Sequence, residues 1–126
     1  MLNISYWPNG NIQSKTEFGV SFDYDYETSG AGPNAVSAIH SVSPPMDRSY
    51  AYDGNGNQTT TSDGRSIEYT VYNTPSLVTE GSDITQFTYG IANSRMRRVD
   101  DNDVDGEKTT WYFTNVERIE QSGTVT

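Results

Sequence analysis

The segment Phe18-Gly19-Val20-Ser21-Phe22-Asp23-Tyr24-Asp25-Tyr26 decides the fold prediction, because apolar and polar side chains alternate along it. An extended strand points successive side chains to opposite faces, so the segment predicts a strand with one aromatic and one acidic face. The aromatic parity contains Phe18, Val20, Phe22, Tyr24 and Tyr26, and the acidic parity contains Ser21, Asp23, Asp25 and Glu27.

The same two-residue period returns in three shorter segments, and no apolar stripe with a helical period of 3.6 residues accompanies it. These segments contain Tyr50 and Tyr52; Ile67, Tyr69 and Val71; and Phe87, Tyr89 and Ile91. The pattern predicts an all-β chain with at most a turn or two of helix. The expected architecture is a series of antiparallel β-hairpins that form a curved, open sheet or a small partial shell.

Turn dipeptides separate the strand-like segments. Asn-Gly and Asp-Gly pairs tolerate positive φ and close tight hairpins. They occur at Asn9-Gly10, Asp53-Gly54, Asn55-Gly56 and Asp63-Gly64. Residues 30–34 and Pro44-Pro45 predict longer connections, and residues 35–39 are suitable for one additional short strand.

Composition indicates one domain over residues 1–126 with little core material. The chain is 33% hydrophobic, and its 12% aromatic content supplies much of the area that can be buried. We therefore expect a two-faced sheet and no deep core. The chain has no cysteine, which excludes disulfides and thiolate metal sites.

The charge balance argues against nucleic acid as a partner. The chain carries 17 acidic and 8 basic residues, a formal net charge of −9, which repels phosphate backbones. Its one basic cluster, Arg95, Arg97 and Arg98, is followed at once by Asp100 and Asp101. No segment approaches the roughly 20 apolar residues of a membrane span, and no signal peptide is evident at the N-terminus.

An internal repeat organises the chain. Residues 6–12 align with residues 52–58 if a one-residue offset is allowed before Asn-Gly-Asn, and residues 89–95 form a weaker third copy. The predicted repeat units cover approximately residues 4–27, 48–80 and 84–119. A looser insertion is expected at about residues 28–47.

Several of these motifs together resemble the YD (Rhs) repeat family over about residues 4–119. Tyr52-Asp53-Gly54-Asn55-Gly56-Asn57 is similar to the family signature Tyr-Asp-x-x-Gly-Asn. The motifs that resemble its continuation are Gly64-Arg65-Ser66-Ile67, Tyr72-Asn73-Thr74-Pro75, Tyr89-Gly90, Arg95-Met96-Arg97 and Thr109-Thr110-Trp111-Tyr112.

The resemblance implies a strip of β-hairpins of the kind that builds hollow shells. Such shells enclose toxins in bacterial Rhs proteins and insecticidal toxin complexes, and serve cell adhesion in teneurins. It also implies export or the cell surface. Two or three repeats are too few for a complete shell, and the family's Asp-Pro-x-Gly cleavage motif has no counterpart here.

One segment matches the first half of a calcium-binding loop. It contains Asp101, Asp103 and Asp105, followed by Gly106. The twelfth position of an EF-hand loop would be Tyr112, where that motif needs a glutamate, so an EF-hand is excluded. The hypothesis is that this loop binds Ca²⁺, the one cofactor that the sequence suggests. A polar hairpin tip in water is the favoured interpretation.

Five aromatic residues form a candidate glycan-binding platform, since aromatic rings stack on the apolar faces of sugars. They are Trp7, Tyr50, Tyr52, Trp111 and Tyr112. The favoured alternative is that these rings pack the sheet through cross-strand pairs.

Two further patterns carry weaker functional hypotheses. The carboxylates of Asp23, Asp25 and Glu27 have a spacing compatible with glycoside hydrolysis, but a solvated acidic face is favoured. His40 is the only histidine, and the default is a half-buried strand residue.

The sequence therefore predicts a non-catalytic scaffold or interaction module. An open strip leaves edge strands, so we expect a homo-oligomer, a dimer by preference, joined through edge strands or the aromatic face. The alternative is a carbohydrate-binding or adhesive module, and a glycosidase-like enzyme ranks last. A toxin or effector polypeptide is the further partner that the resemblance implies.

Overall fold

The computed structural model describes residues 1–26 and 32–122. The chain divides into two compact units, Met1–Asp63 and Gly64–Thr126. The boundary falls inside the predicted repeat unit 48–80. Glu27 of the acidic parity and the first residues of the predicted insertion, 28–31, lie outside the described residues.

The described part of the first unit contains six strands, and each pairs antiparallel with the next along the chain. They are β1 (Asn3–Tyr6), β2 (Ile12–Glu17), β3 (Val20–Asp25), β4 (Ala38–Val42), β5 (Pro45–Tyr52) and β6 (Gln58–Thr61). The first and last strands of this unit do not pair with each other, so its sheet is open.

The described part of the second unit repeats this arrangement with six further antiparallel strands in sequence order. They are β7 (Arg65–Tyr69), β8 (Pro75–Glu80), β9 (Asp83–Tyr89), β10 (Arg95–Asn102), β11 (Gly106–Phe113) and β12 (Val116–Gln121). The helical content of the described residues is a single 3-10 turn, Ile91–Asn93. The prediction of an all-β chain of antiparallel hairpins in an open sheet is confirmed.

The alternation that predicted the strands is present in the structure. Along β3, Val20, Phe22 and Tyr24 are half-buried, whereas Ser21 and Asp23 are exposed. Tyr50 and Tyr52 in β5, and Ile67 and Tyr69 in β7, also lie on half-buried faces.

The sequence prediction is wrong for the terminal members of three alternating series. Phe18, Val71 and Ile91 are 92%, 89% and 95% exposed. Each of these residues lies in a turn, where the backbone is no longer extended and the two-face rule ceases to apply. Pro44-Pro45 is also not a longer connection, because Ser43 and Pro44 form a two-residue turn between β4 and β5.

Four hairpins of the described chain share one turn. In each, the N–H of the first turn residue donates to the carbonyl of the fifth, at 2.8 Å. A tyrosine precedes each turn and pairs with the residue after it, across a register shift. The four turns are residues 7–11, 53–57, 70–74 and 90–94. The fourth residue of each turn has positive φ: Gly10, Gly56, Asn73 and Asn93.

This register corrects the predicted alignment. Tyr6 and Tyr52 occupy equivalent positions, and so do their Asn-Gly-Asn segments, so the one-residue offset is unnecessary. The turn at residues 70–74 is an additional copy that the sequence did not reveal; its sequence is Thr-Val-Tyr-Asn-Thr.

Two of the turns are stabilised by the side chain of their first residue. Asp53 Oδ1 accepts hydrogen bonds from the N–H groups of Asn55 and Asn57, both at 2.9 Å. Thr70 Oγ1 accepts from the equivalent N–H groups of Tyr72 and Thr74, at 3.2 and 3.4 Å. Asn57 donates to the Asp53 carboxylate from its side chain as well as from its backbone N–H. These two bonds, the side-chain bond first, lower the pKa of Asp53. Both residues therefore act as turn caps.

Tyrosine hydroxyls tie the open ends of hairpins together. The Tyr89 hydroxyl donates to the carbonyl of Pro75 at 2.7 Å, whereas the Tyr26 hydroxyl oxygen accepts a hydrogen bond from the backbone N–H of Ile12. In each pair the tyrosine follows its partner by 14 residues, so the bond joins the two ends of one hairpin. These tyrosines serve as both packing surface and hydrogen-bond partners.

The core is as thin as the composition predicts. Among the described residues, Val99 is the one buried apolar residue, at 8% exposure, and no large side chain is fully buried. Strand register and turn geometry, more than a buried core, therefore define the fold.

We predict that the two glycines of the second turn differ in their tolerance of alanine, because only one of them has a left-handed backbone conformation. Gly56 has a φ of 85°, whereas Gly54 lies outside the left-handed region and a Cβ there would contact nothing within 4 Å. Gly56→Ala should lower the free energy of unfolding by about 1–2 kcal/mol, the cost of a side chain in the left-handed region. Urea unfolding provides the measurement. Gly54→Ala is the matched control, and equal losses in both variants would contradict the prediction.

Candidate functional site

The first unit contains a cavity with a volume of about 1000 Å³. It lies between the first turn, the end of β3 and the segment that leads into β4. Its walls contain Trp7, Pro8, Asn9, Asn11, Tyr24, Asp25, Tyr26, Pro33, Ser37, Ala38 and Ser49. We call this space the first-unit cavity.

The fold positions the walls of the first-unit cavity through backbone hydrogen bonds. The N–H of Trp7 donates to the carbonyl of Asn11 at 2.8 Å, which fixes the turn. The Asn11 side-chain amide donates to the carbonyl of Pro33 at 2.7 Å and so holds the opposite wall. The N–H of Ser37 donates to the carbonyl of Asp25, also at 2.7 Å. The Trp7 side chain remains accessible, since the residue is 46% exposed.

A charged cluster on the polar face of the first unit adjoins the first-unit cavity. His40 on β4 contacts two carboxylates, with Nδ1 at 2.7 Å from Asp47 Oδ1 and Nε2 at 3.0 Å from Asp25 Oδ2. Asp47 is directly opposite His40 on β5, and Asp23 is directly opposite on β3. Because Asp25 also lines the cavity, the imidazole links that wall to β5.

The two hydrogen bonds, first that to Asp47 and then that to Asp25, raise the pKa of His40 above its usual value. The imidazole side chain is 46% exposed, so solvent screens both ion pairs. His40 was expected to be a half-buried strand residue. This expectation is confirmed, since His40 is half-buried in β4. The structure also places it among carboxylates, an arrangement that register determines and sequence parity alone does not reveal.

The chemistry of the first-unit cavity suits a neutral polyhydroxylated ligand. Tyr26 and Trp7 offer ring surface, the Asn9 amide offers a donor and an acceptor, and Asp25 offers carboxylate acceptors. Burial raises the pKa of Tyr26, so its hydroxyl stays protonated at neutral pH.

Only some residues of the candidate glycan platform share a surface. Trp7 lines the first-unit cavity, and Tyr50 and Tyr52 lie side by side on one face of β5. The Tyr52 hydroxyl donates to the carbonyl of Val36 at 2.7 Å, which gives this ring a packing role. The sequence did not place Tyr24 and Tyr26 in this set, since only the folded turn at residues 7–11 brings Trp7 to the same cavity as these two residues.

Trp111 and Tyr112 point to opposite faces, because they are consecutive residues of β11. They cannot belong to one platform. The Arg97 guanidinium lies 5.3 Å from the Trp111 ring centroid, and that of Arg95 lies 5.9 Å from Tyr112. Both rings therefore have cation–π partners within the second unit.

The predicted calcium loop has a hydrogen-bonded tip. Asn102 Oδ1 accepts from the N–H groups of Val104 and Asp105, at 3.1 and 2.7 Å. Within residues 1–26 and 32–122, no group of three or more histidine, cysteine or acidic side chains is arranged to hold a metal ion. Asp101 and Asp105 do line a second cavity of about 470 Å³. Calcium binding by Asp101, Asp103 and Asp105 stays a prediction.

The arginines of the basic cluster make contacts within the chain. Arg98 Nε donates to Asp100 at 2.8 Å, and Arg95 lies 4.5 Å from the ring centroid of Phe87.

Across the described residues, no helix has the length and apolar character needed to cross a membrane. No protein-family model matches the chain, and no curated protein matches it.

We predict that His40 makes stability depend on pH. Its pKa is raised on folding, so its stabilising contribution is complete below the unfolded-state pKa of about 6.5 and is lost as pH rises through the folded-state value. The midpoint of urea unfolding should therefore fall as pH increases above about 6.5.

The control for this prediction is His40→Gln, which retains hydrogen-bonding capacity but does not titrate. Its midpoint should show a weaker decline over the same range. Identical pH profiles for the wild-type and variant chains would contradict the assignment.

Proposed function

We propose that this chain is a non-catalytic structural and interaction module of the YD (Rhs) repeat type. The observation that carries the proposal is the turn that recurs four times within residues 1–26 and 32–122 with the same hydrogen bond and the same preceding tyrosine. A hairpin that is repeated with one geometry is a building unit for an extended sheet.

Each residue of the Tyr-Asp-x-x-Gly-Asn motif has a role that supports this assignment. The Tyr52 hydroxyl holds the backbone at Val36, and Asp53 caps the turn. Gly56 occupies the left-handed position, and the side chain of Asn57 donates to Asp53 Oδ2 at 3.0 Å. The motif is therefore explained by hairpin architecture without any catalytic requirement.

The acidic row supports a structural role as well. Asp23 and Asp25 are exposed on β3, and the Oδ2 atom of Asp25 contacts the His40 imidazole. As a scaffold, the module would contribute strands to a shell that surrounds a toxin or effector polypeptide, or to a cell-surface assembly.

The scaffold proposal predicts that the turns are interchangeable. The variant that replaces residues 70–74 by the sequence of residues 53–57 carries Thr70→Asp, Val71→Gly, Tyr72→Asn, Asn73→Gly and Thr74→Asn. It should retain cooperative unfolding and a midpoint close to that of the wild type, because both sequences make the same backbone and capping bonds. Circular dichroism during urea titration provides the measurement.

The control inserts the same five residues in place of the two-residue turn Gly81-Ser82, which should disrupt the β8–β9 hairpin. Loss of folding in the exchange variant would remove the basis of the repeat assignment. Turnover of glycosides by the wild type, abolished by Asp25→Asn, would contradict the non-catalytic assignment.

A second function, carbohydrate binding, is favoured by one specific observation. The first-unit cavity combines the accessible ring of Trp7 with tyrosines, amides and a carboxylate. Aromatic stacking and amide hydrogen bonds together are suited to a sugar ring, whose faces are apolar and whose edges carry hydroxyls. An oligosaccharide is therefore the ligand class for this candidate.

We predict that the fluorescence of Trp7 reports on this binding. The chain has two tryptophans, so Trp111→Phe leaves Trp7 as the sole indole. Titration of this variant with chito- and cello-oligosaccharides should give a saturable change in emission. Tyr26→Ala in the same background should weaken binding about tenfold, equivalent to about 1.4 kcal/mol for a lost aromatic contact.

The matched control is Tyr72→Ala, which removes an exposed tyrosine that does not line the first-unit cavity. Its titration curve should match that of the parent variant. The absence of any saturable change at millimolar oligosaccharide would contradict this second candidate.

A further inference from the structure

We propose that the outer edge of β12 pairs with β12 of a second copy of this chain, antiparallel and about a two-fold axis at Ile119. The inference rests on the proposed function as an interaction module and identifies the partner and the register. All six residues of β12 are exposed, and β11 is the only neighbour of β12 in the described part of the second unit.

One hydrogen bond establishes which backbone groups of β12 face outward. The N–H of Ser122 donates to the carbonyl of Glu107 at 2.9 Å, and these residues continue the direct register of β11 and β12. Hydrogen-bonded pairs alternate with non-hydrogen-bonded pairs along an antiparallel ladder. The even-numbered residues therefore bond inward to β11, and the odd-numbered residues direct their N–H and C=O groups outward. These outward residues are Glu117, Ile119 and Gln121.

The outward groups restrict the possible two-fold registers. Outward-facing residues must pair with outward-facing residues of the other copy, so the axis lies at a residue and not between two residues. An axis at Glu117, Arg118 or Glu120 would place that charged residue opposite its own copy, and like charges directly opposite each other are destabilising. An axis at Gln121 would extend the pairing past residue 122 and shorten the overlap of the described strands. The axis at Ile119 avoids both problems.

In this register the side chains are self-complementary. Ile119 lies opposite its copy, and Glu117 lies opposite Gln121 of the other chain, so all outward groups form hydrogen-bonded pairs. Arg118 lies opposite Glu120 of the other chain, twice, in the non-hydrogen-bonded pairs where side chains approach most closely. Arg118 and Glu120 already form an ion pair at 2.6 Å within one strand. Pairing would extend this contact into a square of four charges, in which each arginine neighbours two glutamates.

The hydrophobic contribution comes from residues that a single copy leaves accessible. Ile119 is 56% exposed and Val116 is 63% exposed, although both belong to a strand. Pairing of two edges covers Ile119 with its own copy. It also satisfies a row of backbone donors and acceptors, which is the main driving force for strand addition.

Sedimentation velocity of the full chain at 0.15 M salt tests the proposal. At this ionic strength the Debye length of about 8 Å screens the mutual repulsion of the two net charges, while contacts across the strand pair persist. The wild type should form a dimer. Arg118→Glu or Glu120→Arg alone should weaken dimerisation about tenfold or more, since each places like charges opposite each other twice.

The double variant Arg118→Glu/Glu120→Arg should restore the affinity, because it exchanges the charges and keeps the complementarity. Ile119→Pro should abolish the dimer, since proline removes an outward N–H and spares the inward ladder to β11. Arg48→Glu is the control for net charge and should leave dimerisation unchanged.

A wild-type chain that sediments as a monomer at several hundred micromolar would overturn the proposal. A dimer that persists in Arg118→Glu and Ile119→Pro would also overturn it, because its interface would then lie elsewhere. Circular dichroism checks that each variant is folded. The exchange of turn sequences does not involve β12, so its result tests the repeat scaffold separately from this interface.

Discussion

The hydrogen bond from the first to the fifth residue of the recurring turn is the constraint on which the rest of the structure depends. It closes the chain into a hairpin and places the preceding tyrosine opposite the residue that follows the turn. A register that slipped by one residue would transfer every side chain to the other face. With so little buried apolar surface, no deep core is available to correct such a slip, so the turns have to define the register locally.

The aromatic residues explain how a chain with a thin core holds its hairpins together. A tyrosine contributes ring surface to the half-buried face and a hydroxyl that reaches the backbone, as Tyr89 does at Pro75. In the second unit, guanidinium groups of Arg95 and Arg97 extend this packing by lying over neighbouring rings. The same arginines that formed a basic cluster in the sequence therefore contribute to the packing of the sheet.

The two candidate binding features differ in physical character. The first-unit cavity is concave and combines rings with amides and a carboxylate, which favours a small hydroxylated ligand. The edge of β12 is linear and offers backbone groups with a self-complementary charge pattern, which favours another strand. Both are compatible with a scaffold, since a repeated hairpin presents faces and edges and needs no catalytic group.

The sequence by itself determined the β-strands, the two-faced alternation and the turns that contain Asn-Gly, because side-chain period and positive-φ preference are local properties. It did not reveal the turn at residues 70–74, since Thr70 replaces aspartate as the cap and Asn73 replaces glycine at the left-handed position. The contact of His40 with Asp25 and Asp47, and the meeting of Trp7 with Tyr26 around one cavity, were decided only by tertiary structure. These residues are distant along the chain, and strand register, which depends on all the intervening turns, brings them together.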